Sequence, residues 1–299
     1  DSQLGLMGGL AFALFYTGLG IPVAMLADRF SRTWIMTAAL TIWSAMTAAS
    51  GLATNFWQLF AARLGVGVGE AGGVAPAYSL ISDFFPPHQR ARALSIYSFG
   101  IPIGSAIGIV FGGIIASLIN WRYAFFFVGI AGIVLAPIFR MTIKEPPRGR
   151  FDARRTDTKS ASLKLIFSTL AGKPSFWLLS LGASFSSMMG YGVFFWLPSF
   201  FVRSYGLTLL EASLFYGAIL LVGGLAGIWA GGWLGDRFGQ EKRSQYARIP
   251  AMAFIASVPF YVLAILSPTL TVSFFVFLVP TALGLAWLGP VISAIQHLV

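Results

Sequence analysis

Arg63 and Glu70 are the residues whose type and spacing most invite chemistry. They lie in Arg63-Leu64-Gly65-Val66-Gly67-Val68-Gly69-Glu70-Ala71, and no other charge occurs between residues 57 and 82. In a helix, seven residues return the chain to within about 20° of the same face and advance it about 10 Å. A charge near mid-bilayer costs on the order of 2.5–3.5 kcal/mol even on insertion scales, and Glu70 falls near the midpoint of that stretch. Both side chains therefore need a cavity or a partner. One reading is a salt bridge that packs helices. The other makes Glu70 a protonatable carboxylate and Arg63 a partner for an anion or carboxylate.

Other chemistries find little to work with. The chain has two histidines, His88 and His297, and no cysteine. A disulfide, a thiolate nucleophile and a Cys-ligated metal are thereby excluded, and no metal site or cofactor is expected. Neither an H-E-x-x-H nor a G-x-S-x-G pattern occurs, and no phosphate-binding P-loop is present. An intramembrane enzyme lacks its constellation, so the protein is not expected to be an enzyme. ATP-driven transport would need a separate subunit.

The elements that must position Arg63 and Glu70 follow from composition. Of 299 residues, 57% are hydrophobic and 10% charged, whereas a soluble domain carries about 25% charged residues. Residues 4–27, 33–62, 93–121, 174–202, 212–235 and 249–299 contain no Asp, Glu, Lys or Arg. A membrane-crossing helix needs about 20 mainly apolar residues. Split at their turn signals, these runs predict nine spans: 4–27, 33–53, 57–82, 93–118, 122–141, 175–202, 209–234, 249–266 and 270–298. The runs lack the two-residue alternation of a membrane β-barrel. The expected fold is an all-α polytopic membrane protein.

Charge sets the orientation. The loops at 28–32, 83–92, 140–173 and 235–248 hold 17 of the 20 basic residues, which predicts that they are cytoplasmic. The net charge of +10 is thus explained without a nucleic-acid partner. The expected location is the cell (inner) membrane. Trp121-Arg122 reads as an anchor at the opposite face. Residues 142–174 are the long polar stretch, a cytoplasmic linker between a first membrane half (1–141) and a second (175–299). Near its end Leu163, Ile166, Phe167 and Leu170 recur at helical spacing, which predicts an interfacial helix.

A repeat then appears. Ala24-Met25-Leu26-Ala27-Asp28-Arg29-Phe30-Ser31 returns as Gly232-Trp233-Leu234-Gly235-Asp236-Arg237-Phe238-Gly239. This resembles the G-x-L-a-D-R-x-G loop found in both halves of the major facilitator superfamily. The second copy matches closely; the first has Ala24 and Ser31 where the family prefers glycine. The resemblance implies a gating role for Asp28, Arg29, Asp236 and Arg237, whose simpler role is to anchor and cap helices. It also implies that the nine spans are helices 2–10 of twelve, with helices 1, 11 and 12 outside this sequence.

The stretch from Ala13 to Pro22, the Asp28-Arg29 loop and Gly-Val-Gly-Glu-Ala at 67–71 look like bacterial Spinster-like transporters. That resemblance places Glu70 and Arg63 in a proton-coupling and substrate site. It implies a monomeric secondary transporter working by alternating access on an amphiphilic, lipid-like substrate of lysophospholipid or sphingoid type, within membrane lipid. Proton-coupled carriage of organic anions or sugar acids is the alternative, and a channel is less favoured by the repeated loops.

Two further patterns carry expectations. Gly100, Gly104, Gly108 and Gly112 form a four-residue stripe suited to a helix-packing seam. The family's antiporter signature orders its Gly and Pro differently from Ile101-Pro102-Ile103-Gly104, so the stripe does not argue for exchange. Tyr191, Phe194, Phe195 and Trp196 lie among Gly190, Gly192 and Pro198, residues that can unwind a membrane helix beside a cavity. These aromatics are candidate cavity lining, or bulk facing lipid.

Overall fold

The computed structural model describes residues 2–6, 9, 11–151, 163–239 and 244–291. The first half contains α1 (Ser2–Gly5), α2 (Ala11–Arg29), α3 (Arg32–Ser50), α4 (Phe56–Glu70), α5 (Val74–Phe84), α6 (Pro87–Ser98), α7 (Gly100–Leu118) and α8 (Trp121–Thr142). Then follow α9 (Leu163–Ala171), α10 (Pro174–Tyr205), α11 (Leu209–Gly239), α12 (Gln245–Ile265) and α13 (Leu270–Leu285). The described residues contain no strand.

Six helical stretches among the described residues are long and apolar enough to cross a membrane: Ile96–Leu118, Trp121–Thr142, Pro174–Tyr205, Leu209–Gly235, Gln245–Ile265 and Leu270–Val291. Large apolar side chains such as Leu118, Met141, Leu178 and Ile255 point outward on them, as helices in lipid require and helices in water avoid. The three remaining expected spans correspond to α2, α3 and the α4–α5 pair.

α3 is the most polar of these helices because it carries six serines and threonines. Four of them return their hydroxyl hydrogen to the backbone four residues earlier: Thr37 to Thr33, Thr41 to Thr37, Thr47 to Trp43 and Ser50 to Met46. These four hydroxyls are thus satisfied within their own helix, which helps make α3 compatible with a membrane despite its composition.

The expected span at 57–82 is broken. α4 ends at Glu70, and Ala71–Gly73 form a turn before α5 begins at Val74. The backbone N–H groups of Gly72 and Gly73 reach the carbonyls of Gly69 and Glu70, each at 3.0 Å, so the helix tightens as it stops. Pro76 has no N–H to give to Gly72, and two consecutive glycines are poor helix formers. The sequence therefore contains the reason for the break.

The described helices divide into two compact units. One comprises Asp1–Arg90 with Phe111–Thr158, the other Ala91–Val110 with Lys159–Val299. In the first, α3 packs along α8 and α4. In the second, α11, α12 and α13 pack together, and α10, α11 and α13 share an aromatic cluster in which Phe201, Tyr216 and Phe277 are almost fully buried. The Phe201 and Phe215 rings meet edge to face at 4.8 Å, a favourable arrangement of opposed ring quadrupoles.

Glycines set the closest approaches. A Cβ at Gly69 would lie 2.5 Å from the Trp43 backbone nitrogen, and one at Gly129 would run into the α3 backbone at Ala48. On α11, Gly227 and Gly231 face the carbonyls of Ala282 on α13 and of Ala286 just beyond its end, where a Cβ would collide. Both helices use the same four-residue step, so the two backbones lie along one another. Gly100, Gly104, Gly108 and Gly112 differ: a Cβ at any of them would meet nothing within 4 Å among the described residues. The contact of α7 with α11 is made by Pro102, Ala106 and Val110 against Gly217 and Gly224.

Candidate functional site

Two groups of charged residues occupy the first unit. The first is the pair on α4. Gly65, Gly69 and Gly72 press against Met46, Trp43 and Ala39 of α3, and this seam fixes the rotation of α4. Counting about 100° per residue, Arg63 and Glu70 then lie some 140–160° around the helix, on the flank turned from α3. Both are half-buried. They share a face as their spacing predicts, yet no ion pair within 4.0 Å joins them; among the described residues, both ion pairs at that distance belong to Arg32. Glu70 is the last residue of α4, beside the turn at 71–73.

The second group is a charged knot at the start of α3. Arg32 is 1% exposed and all three of its nitrogens are engaged. Nη1 pairs with Asp83 and donates to the Ser79 hydroxyl at 2.8 Å. Nε donates to Glu145 at 2.7 Å, and Nη2 to the Pro146 carbonyl at 3.1 Å. The second oxygen of Glu145 accepts from the Thr33 N–H and from the Ser31 hydroxyl, each at 2.9 Å, and thereby caps the α3 N-terminus. Asp83 also accepts from the Gly149 N–H at 3.0 Å. Gly149 has φ +63°, a left-handed conformation that a side chain would disfavour.

Glu145 sits beyond the end of α8, and its titration reflects the knot. Burial alone pushes its carboxyl up. The hydrogen bonds from Thr33, Arg32 and Ser31, with the Arg32 charge, outweigh this and hold it down at about 2. It is an anion under any ordinary condition.

The repeated loop touches the knot from outside. Arg148 donates to the carbonyls of Ala27 and Phe30, both at 2.6 Å, so the start of the linker grips the backbone around Asp28 and Arg29. Those two side chains are themselves exposed. In the second copy the Arg237 guanidinium lies 5.3 Å from the centre of the Trp233 ring and 5.9 Å from that of Phe238; the Asp236 side chain lies outside the described residues.

The aromatic candidates are placed on α10, which runs unbroken through Gly190, Gly192 and Pro198. Tyr191 is exposed, as are the faces of Phe194, Phe195 and Trp196. Phe194 approaches Tyr216 with ring centres 6.1 Å apart. At the other end of the first unit, Arg122 stacks on Trp121 at 4.4 Å and donates to the Ala53 carbonyl at 3.1 Å, as an anchor would.

The residues that sequence reasoning missed are Arg32, Asp83, Glu145 and Arg148. Arg32 and Arg148 entered it only as loop charges. A signal was available: Asp83 and Glu145 are two of only ten acids, and both stand where basic residues dominate.

Comparison with known proteins places this arrangement in context. The family profile of the Major Facilitator Superfamily matches residues 1–299. The chain is 29% identical over 305 residues to an MFS-type efflux pump of Mycolicibacterium smegmatis, covering 100% of this chain and 69% of that protein. It is 29% identical over 309 residues to protein spinster homolog 1 of Homo sapiens, covering 96% of this chain and 58% of that protein. The crystal structure of a bacterial homolog to the human lysosomal transporter Spinster, inward-facing and unoccupied, superposes with a TM-score of 0.80 at 35% identity. That match covers 98% of this chain and 67% of the other.

Proposed function

Because the chain belongs to the major facilitator superfamily and is homologous to the Spinster proteins, we propose that it works as a secondary active transporter by alternating access, coupled to protons. The observation that carries the coupling is Glu70, a half-buried carboxylate at the broken end of α4. Arg63 stands on the same face but not in ion-pair contact. Among the described residues no ion pair within 4.0 Å holds this carboxylate, and an intramembrane acid of this kind marks a proton or substrate path. Arg63 supplies a fixed cation with a planar fork, suited to a phosphate or carboxylate.

The substrate is an amphiphile with an anionic head group, of lysophospholipid or sphingoid type. The likeness to Spinster proteins supports this choice. A sugar acid or other organic anion would use the same Arg63 fork without needing an apolar path. The Asp28-Arg29 and Asp236-Arg237 loops act as gates that open and close one side of the membrane. The basic loops lie in the cytoplasm, and the protein acts as a monomer in the cell membrane.

The test is uptake by the intact protein in liposomes, with and without an imposed pH gradient, offering a lysophospholipid and a sugar acid in parallel. Glu70→Gln keeps shape and hydrogen bonding but has no proton to exchange. It should bind substrate and lose gradient-driven accumulation. Wild-type accumulation by Glu70→Gln would move the coupling site elsewhere, and uptake of the sugar acid alone would replace the lipid reading.

A further inference from the structure

The second unit contains a cleft separate from the α4 pair, with residues of the second copy of the repeated motif in one wall. It lies between α11, α12 and α13 and has a volume of about 530 Å³. Its walls are Leu234 and Phe238 on α11 and Ile249 and Met252 on α12, and Ala282 of α13 and Ala286 just beyond its end form its floor. Gln245, at the first turn of α12, is the one residue of the lining with a polar side chain. The cleft is therefore apolar along its length and polar only at the end where α11 and α12 are joined by the 235–248 loop.

Its length matches a lipid leaflet. On α11 the lining runs from Gly227 to Phe238, and on α12 from Ala256 back to Gln245. Each stretch covers eleven residue steps, or about 16 Å of helix, and half of a hydrocarbon core is about 15 Å. A narrow space of this length, walled by aliphatic and aromatic side chains, suits one extended alkyl chain. Phe238 and Met252 are 41% and 60% exposed, so the cleft opens sideways to the surroundings of the helices.

Its polar end carries the complementary charge. Arg237 rests on the rings of Trp233 and Phe238, which brings the guanidinium to the rim beside a residue of the wall. Arg248 is exposed on α12 immediately before Ile249, on the flank of the face that lines the cleft. The joining loop adds Lys242 and Arg243 in sequence. An apolar slot one leaflet deep, with arginines at its mouth, has the chemistry of an anionic phospholipid site.

We propose that this cleft binds one acyl chain of an anionic phospholipid, with the phosphate held by Arg237 and Arg248 at the loop end. The lipid is a resident of the second unit and is separate from any transported substrate at Glu70. It ties the α11–α12 loop, which carries the second copy of the repeated motif, to the membrane surface.

The test uses the intact protein, delipidated in mild detergent and titrated with phosphatidylglycerol, with phosphatidylcholine of the same chains, and with glycerophosphoglycerol, which has a head group and no chains. Native mass spectrometry reads bound lipid, and thermal unfolding reads stabilisation. The expected result is one retained phosphatidylglycerol with a raised melting temperature, a weaker effect of phosphatidylcholine, and none of the head group alone. Arg237→Gln with Arg248→Gln should keep the adduct but lower the preference for the anionic lipid by about fivefold for each arginine removed. Ala253→Trp fills the cleft and should lose the adduct; Ala256→Leu fills it more gently and serves if the larger change fails to fold. Equal retention of both lipids by the wild type, stabilisation by the head group alone, or wild-type retention in a folded cleft-filling variant would each overturn the proposal. So would occupation by a second copy of the chain, seen as a dimer that the filling variants dissociate.

Discussion

Arg32 and Asp83, separated by 51 residues in sequence, form an ion pair in which the arginine is 1% exposed. The pair joins the start of α3 to the end of α5. Through Glu145 and Gly149 it also fastens the first residues of the linker to the same place. A guanidinium this deeply buried is tolerable only while its partners remain, because the attraction must offset the loss of hydration of both charges.

Asp83→Asn should therefore destabilise the protein by about 3 kcal/mol, the lower end for breaking a buried pair, because Glu145 still faces the arginine. Replacing both members, as Arg32→Met with Asp83→Leu, should cost less than the sum of the single changes. Unfolding of the purified variants in detergent measures both values, and strict additivity would show that the pair is not coupled.

Glu145 should show a specific pH dependence. Its carboxyl is held at about 2 in the folded protein, below the ordinary carboxylate value of about 4.3. A depressed group contributes stability that is complete above the unfolded value and is lost as pH falls toward the folded one. Melting temperature should therefore fall between about pH 4.5 and pH 2 by more in the wild type than in Glu145→Gln. At neutral pH the variant should already be the less stable of the two. Parallel melting curves across that range would contradict the assigned network.

Glycines of similar sequence context should respond in opposite ways. Gly69→Ala forces a Cβ against the Trp43 backbone and should cost about 1–3 kcal/mol. Gly108→Ala meets open space and should be neutral, or stabilising by up to about 1 kcal/mol through helix propensity. A comparison of the two unfolding midpoints decides this. A large loss at Gly108 would show that its stripe is a packed seam after all.

Sidedness can be read with introduced cysteines, since the sequence has none. An impermeant thiol reagent applied outside sealed cells should label a cysteine at Asn55 or Pro268 and leave one at His88 or Gln240 unmodified. Labelling of the second pair would invert the proposed topology.

The sequence by itself determined that this chain is a set of membrane helices, because burial in lipid demands long charge-free runs and those are visible without partners. It also determined the family, through a loop repeated 208 residues apart, and the common face of Arg63 and Glu70, which follows from the helical period alone. The break after Glu70 was not read from the sequence, where one apolar run predicts an unbroken span, although Gly72, Gly73 and Pro76 carry its local cause. Only the tertiary structure decided which glycines pack: Gly69, Gly129, Gly227 and Gly231 do so among the described residues, whereas the stripe at 100–112 meets none of them. It alone revealed the knot at Arg32, whose partners come from 51 and 113 residues away. Periodicity fixes the face on which a side chain stands, a local property of the backbone. The neighbour it meets depends on how separate helices approach, and that is set by packing over the whole unit.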